Sequence, residues 1–152
     1  MIIPKWDLRF LKLAREIASW SKDPSTQTGA VFITPSRRII SVGYNGLAQG
    51  VNDEALRYNN RELKYELIIH CEENAMIFAD RDALQGSCLY TWPFLSCSRC
   101  AAKMIQCGVK RICSLENDNP RWKESFRLSV MQFTEAEVCV VTYPRESLRE
   151  VA

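Results

Sequence analysis

The chain has 152 residues, which at about 150 residues per domain is a single domain spanning 1–152. Its 47% hydrophobic and 25% charged content is that of an ordinary soluble globular protein. Twenty basic and eighteen acidic residues leave a net charge of +2. No Lys/Arg run is dense enough for a nucleic-acid footprint, so nucleic acid is not an expected partner, whereas a single phosphate is easily met.

The segment from Met1 to Asp7 has neither the basic start nor the apolar run of a signal peptide. No stretch approaches the ~18 apolar residues of a membrane span, so no membrane partner is expected. An odd number of cysteines, seven, without a secretion signal points to thiols in a reducing interior and a cytoplasmic location. One histidine, His70, excludes a multi-histidine metal site and any mechanism that needs two imidazoles. A bound metal would draw on His70 and a subset of the cysteines, with carboxylates as the remaining option.

Trp6, Phe10, Leu13, Ile17 and Trp20 recur at helical spacing and predict a first helix with one apolar face. Pro24 then pushes Asp23 out of the helical region. Gly29–Thr34 and Arg38–Tyr44 read as an antiparallel hairpin around Pro35-Ser36-Arg37. From Asn45 to about Lys64 runs a polar stretch, long enough to be functional or to hold short helices of its own. Beyond it, His70–Ala79 reads as helix, Cys88–Phe94 as strand and Cys97–Gln106 as helix stopped by Gly108. Val109–Leu115 follows as strand, Trp122–Phe133 as helix and Glu137–Tyr143 as strand. This order predicts an α/β domain with a mixed sheet of about five strands covered by helices.

Two segments carry the chemistry: His70-Cys71-Glu72 and Cys97-Ser98-Arg99-Cys100. Both fall at predicted helix N-termini, where exposed N–H groups and the helix dipole favour thiolate over thiol. Two such termini facing each other would bring His70, Cys97 and Cys100 around one zinc ion. Three protein ligands leave a position open for water, as catalytic zinc sites do. Glu72, two residues from the histidine, can take that water's proton without binding the metal. Apart from the residue before Cys97, this matches the H-x-E followed by P-C-x-x-C signature of zinc-dependent nucleobase deaminases. A redox C-x-x-C pair, or a structural zinc completed by Cys71 or Cys107, is the alternative. Cys88, Cys107, Cys113 and Cys139 read as core packing residues, and Glu73 as a solvated or helix-N-terminal charge.

From Trp6 to Tyr143 the sequence resembles the deoxycytidylate (dCMP) deaminases of the cytidine deaminase superfamily. The resemblance is carried by Ser21-Lys22-Asp23-Pro24-Ser25-Thr26-Gln27-Thr28-Gly29-Ala30, Gly43-Tyr44-Asn45-Gly46, His70-Cys71-Glu72-Glu73-Asn74-Ala75, and Cys97-Ser98-Arg99-Cys100 running on to Gly108. It implies a three-layer α/β/α cytidine deaminase-like fold with helices on both sheet faces. It further implies zinc on His70, Cys97 and Cys100, Glu72 as proton shuttle, and Asn45 in contact with sugar and base. Asn45 also reads as a turn residue before Gly46. The implied reaction is hydrolysis of dCMP, or a close 5-substituted analogue, to dUMP and ammonia, supplying precursors of dTTP.

The same resemblance implies a homohexamer, activated by dCTP and inhibited by dTTP, with Mg2+ accompanying the triphosphate and Gly46 to Gly50 as the effector region. Lys22 and Arg99 are the candidates for the substrate phosphate, and each also reads as a surface charge. Alternation puts Tyr90, Trp92 and Phe94 on one strand face, as packing residues with at most one touching ligand. Three departures from the family pattern bear on substrate detail. Ser96 stands where proline is usual, Cys71 places a thiol beside the pocket, and Tyr90 to Cys97 is one residue long. Related activities on cytidine, deoxycytidine, a free base or an adenosine in RNA stay open, as does a non-catalytic zinc-stabilised nucleotide sensor. Glu72 argues against the last, since a purely structural site needs no shuttle.

Overall fold

A computed structural model describes residues 2–151. Its elements in chain order are α1 (Lys5–Ala18), β1 (Gly29–Ile33), β2 (Ile39–Tyr44), β3 (Gly46–Leu47), α2 (Ala55–Asn59), α3 (Arg61–Leu67), β4 (Ile68–Ile69) and α4 (Cys71–Ile77). There follow α5 (Arg81–Leu84), β5 (Cys88–Trp92), α6 (Ser98–Gln106), β6 (Arg111–Leu115), α7 (Lys123–Glu135), β7 (Cys139–Tyr143) and a 3-10 helix over Arg145–Val151. The main sheet has five strands in the order β2-β1-β5-β6-β7. The β2–β1 and β1–β5 pairs are antiparallel, and β5–β6 and β6–β7 are parallel. This is the mixed sheet expected from the order of apolar runs. The polar stretch does hold short helices, α2 and α3. The two-residue pair β3–β4, Gly46 against Ile69 and Leu47 against Ile68, is too short to carry a periodic signal.

Alternation along the strands divides the core in two. Ala30, Phe32, Leu89 and Ile112 face a layer that includes Cys71 and Ala75 of α4, Ala101 and Met104 of α6, and Phe133 of α7. Val31, Ile33, Tyr90, Cys113 and Leu115 face Phe10, Leu11, Ala14 and Ile17 of α1. The three layers are therefore α1, sheet, and α4 with α6 and α7. No helix among the described residues is long and apolar enough to cross a membrane.

The buried stripe of α1 differs from the expected one. The helix ends at Ala18, and Trp20 lies past it, 54% exposed and edge-on to Tyr44. The seam that closes on the sheet uses small side chains instead. A Cβ on Gly29 would meet Ala14 O at 2.1 Å and Ala18 N at 2.6 Å, so backbone packs on backbone there. Cys139 departs from expectation too: as the first residue of edge strand β7 it is exposed rather than in the core.

One buried carboxylate joins α1 to three strands. Asp7 accepts hydrogen bonds from Tyr90 Oη at 2.6 Å, Tyr143 Oη at 2.6 Å, and Arg111 at 3.1 and 2.6 Å. Burial alone would raise its pKa, but the bonds from Arg111, Tyr143 and Tyr90 outweigh that and hold it below the usual carboxylate range. Removing one partner of such a pair strands the other's charge. Asp7→Ala should therefore cost about 3–5 kcal/mol, read by urea unfolding. Because the folded-state pKa is depressed, this contribution is complete above the ordinary carboxylate pKa and vanishes as pH falls through the lowered value. Asp7→Asn should flatten that acid limb of the stability curve; an unchanged limb would assign it to other carboxylates.

Candidate active site

α4 sits unusually close on β2 because Gly43 has no side chain. A Cβ there would lie 2.4 Å from Cys71 O and 2.5 Å from Ala75 N. This contact fixes the helix whose N-cap is His70 and whose first turn carries Cys71, Glu72 and Glu73. Glu73 Oε2 accepts from His70 N at 3.4 Å, and its other oxygen pairs with Lys103 of α6. Burial would raise the Glu73 pKa, but the Lys103 ammonium holds it low. Glu73 is thus a helix-N-terminal charge that also joins α4 to α6.

Cys97 caps α6 and Cys100 lies in its first turn. The turn that lacks proline at Ser96 is held by α7 instead. Ser129 Oγ donates to Ser96 O at 2.8 Å, Ser98 N donates to Ser125 Oγ at 3.0 Å, and Gln132 Nε2 donates to Ser98 O at 3.0 Å. The two helix starts converge as the spacing predicts. His70 Nδ1 lies 3.5 Å from Cys97 Sγ and 3.4 Å from Cys100 Sγ, and all three donor atoms fall within 4.8 Å of one another. Zinc bonds of about 2.3 Å to sulfur and about 2.0–2.1 Å to nitrogen, at tetrahedral angles, would separate S and N by about 3.5 Å. The donor set and its spacing fit zinc. Within the cluster Cys97 is held well below the usual thiol range by the Cys100 thiol and by His70, while Cys100 is pushed up. The Cys97 sulfur beside His70 in turn pushes the imidazole up to about 9. Neither fourth ligand of a structural site is present, since Cys71 and Cys107 stand outside the cluster.

Glu72 is buried, 5% exposed, and lines the same cleft without belonging to the donor cluster. The Cys71 thiol donates to Glu72 Oε2 at 3.3 Å, and burial raises the thiol's pKa, keeping it protonated. Asn45 also lines the cleft. Its Oδ1 accepts from Thr28 N at 2.8 Å and its Nδ2 donates to Thr26 O at 2.9 Å and Asp23 Oδ2 at 3.3 Å. In this way it pins the Ser21–Thr28 loop as one wall. Lys22 and Arg99 are not among the cleft-lining residues. Lys22 Nζ pairs with Asp53 at 2.6 Å, and Arg99 is exposed on α6. Gly46 and Gly50 also lie outside the lining; Gly50 takes the left-handed region at φ 81.

Of the three aromatics on one predicted face, Tyr90 belongs to the Asp7 network, whereas Trp92 and Phe94 both line the cleft. The strand ends at Trp92, so alternation does not extend to Phe94. Phe94 instead packs 6.1 Å from Trp122 and 5.6 Å from Phe126, forming an aromatic wall. Tyr65, Lys64, Asn119 and Arg121 complete the lining from segments that carry no motif. The one sequence signal for this wall is the i, i+4 pair Trp122 and Phe126.

The family described as cytidine and deoxycytidylate deaminase zinc-binding region matches the chain over residues 4–116. The chain belongs to this family. The expectation of a deaminase-family enzyme with a zinc-binding region holds. An uncharacterized deaminase of Aliivibrio fischeri is 44% identical over 151 residues, which cover 97% of this chain and 100% of that one. The deoxycytidylate deaminase of Homo sapiens is 32% identical over 113 residues, 71% of this chain and 63% of that one. A probable deoxycytidylate deaminase of Caenorhabditis elegans is 38% identical, over 72% of this chain and 56% of that one. The chain thus spans less than two thirds of these animal relatives. A crystal structure of dCMP deaminase from cyanophage S-TIM5 superposes with a TM-score of 0.71 at 19% identity, over 93% of this chain and 100% of that one. That likeness confirms the three-layer cytidine deaminase-like fold.

Gly43→Ala should force α4 off β2 and lower zinc retention through dialysis, read by metal analysis per chain. His70→Ala and Cys97→Ser should lose zinc while keeping the far-ultraviolet circular dichroism of the native fold, because apolar side chains of the helices pack both faces of the sheet. Full zinc content in Gly43→Ala would show that the close approach is not what sets the cluster.

Proposed function

We propose that this deaminase converts dCMP, or a close 5-substituted analogue, to dUMP and ammonia. The observation that carries the reading is Glu72, a buried carboxylate sharing a cleft with the three-donor cluster without joining it. His70, Cys97 and Cys100 would hold zinc, which when bound would supply acidity by bringing the pKa of water down to about 7. Glu72 then serves as general base and general acid in turn. It takes a proton from the attacking water as the C4–O bond forms, and delivers it to ring N3. It carries the second proton to the exocyclic nitrogen as the C4–N bond breaks, so water enters and ammonia leaves. The Cys71 thiol, by donating to Oε2, holds one carboxylate oxygen and leaves the other to carry protons. Trp92 and the Phe94–Trp122–Phe126 wall offer ring faces for a planar base.

The relatives named deoxycytidylate deaminase support dCMP over the other bases and nucleosides. The same kinship supports a role in supplying dTTP precursors in the cytoplasm, as a homo-oligomer, a hexamer in our reading. It also supports control by dCTP and dTTP with Mg2+ at a region around Gly46 to Gly50. Purified protein should release ammonia from dCMP faster than from deoxycytidine, cytidine or dCTP. Glu72→Gln should keep its zinc and lose about 10²–10⁴-fold or more in kcat. Loss of metal in that variant would make Glu72 a ligand, and inactivity of the wild type on all four compounds would overturn the reading.

A further inference from the structure

The charges around the cleft divide by whether they are already answered. Asp23 and Lys64 are both buried and stand 3.3 Å apart, so they neutralise each other. His70, Glu72 and Cys97 belong to the chemistry. The remaining charged group in the lining is Arg121. Among the described residues no carboxylate pairs with its guanidinium, which lies against two rings. Its carbon lies 5.0 Å from the Tyr65 ring centroid and 5.7 Å from that of Trp122. Its backbone is fixed as well: Arg121 N donates to Asn119 Oδ1 at 3.1 Å, and Asn119 N donates to Asn117 Oδ1 at 3.1 Å.

Aromatic contacts engage a guanidinium through its charge and its face, and they leave the in-plane N–H donors without acceptors. A planar fork, exposed at the rim of a cleft and positioned before ligand arrives, suits bidentate recognition of a phosphate. By contrast Lys22, the candidate read from the sequence, already has its charge met by Asp53 at 2.6 Å and stands outside the lining.

We propose that Arg121 is the specificity-determining residue for a 5′-monophosphate, so that the cleft prefers pyrimidine nucleotides over nucleosides. This rests on the deaminase reading above and names the group that makes its substrate a nucleotide. The site joins Tyr65 of α3 to the loop before α7, so phosphate binding would also bring the two sides of the rim together.

Product binding tests this without requiring turnover. Titrating dUMP and deoxyuridine by calorimetry into the zinc-loaded wild type, Arg121→Gln, Arg121→Lys and Lys22→Gln reads the phosphate contribution directly. Arg121→Gln should weaken dUMP by at least about tenfold while leaving deoxyuridine within about twofold. Arg121→Lys should recover part of the loss, and Lys22→Gln should leave dUMP within about twofold. Wild type binding dUMP no tighter than deoxyuridine would overturn the proposal. So would a loss in Arg121→Gln that falls equally on both ligands, or a dUMP loss in Lys22→Gln alone. A wild type that binds dUMP through Arg121 yet does not deaminate dCMP would sink the proposed reaction and keep the phosphate assignment.

Discussion

The active site depends on one contact between backbones, α4 lying against β2 at Gly43. Any side chain there would occupy the space of Cys71 O and Ala75 N. Because the helix is held by its own main chain, His70 and Glu72 inherit their positions from the sheet rather than from side-chain packing. α6 is placed differently. Its last turn is tied to α4 through Lys103 and Glu73, and its start to α7 through Ser125, Ser129 and Gln132. The donor cluster of His70, Cys97 and Cys100 therefore sits where two helices meet, one held on the sheet and the other tied both to it and to α7, a preorganised arrangement.

The chemistry and its specificity come from different parts of the chain. Glu72 and the donor cluster are on the two helix starts. The walls of the cleft are the Ser21–Thr28 loop pinned by Asn45, the α3 residues Lys64 and Tyr65, and the segment from Asn119 to Phe126. These wall segments are irregular or short, and they hang on a sheet both of whose faces are packed. The wall residues and the donor cluster thus rest largely on different segments of the fold.

Much of this architecture is legible in the order of residues alone. Strand alternation, the glycine stops and the two helix N-termini predict the five-strand mixed sheet, and the spacing of His70, Cys97 and Cys100 predicts the donor cluster, with Glu72 beside it. What escapes such a reading shares a physical cause. Arg121 and Tyr65 become neighbours only through tertiary folding, and neither belongs to a local pattern. Lys22 lies in a telling segment, yet a lysine's long stem lets it pair with Asp53 instead of the cleft. Trp20 fits helical spacing but falls beyond the helix end, because the seam on the sheet is built from Ala14 and Ala18 against Gly29. Periodicity registers large apolar residues and overlooks small ones that allow close approach.

The Asp7 network has a consequence for how the protein is made. The carboxylate and one of its phenol partners, Tyr143, are 136 positions apart. At about 5–20 residues per second, the ribosome adds Tyr143 on the order of ten seconds after Asp7. Through that interval α1 carries a charge whose final surroundings do not yet exist, and the helix cannot settle against β7. Both the donor cluster and the central strands are synthesised in the meantime. The last hydrogen bond to Asp7 can therefore form only after every residue of the donor cluster and both central strands have been made.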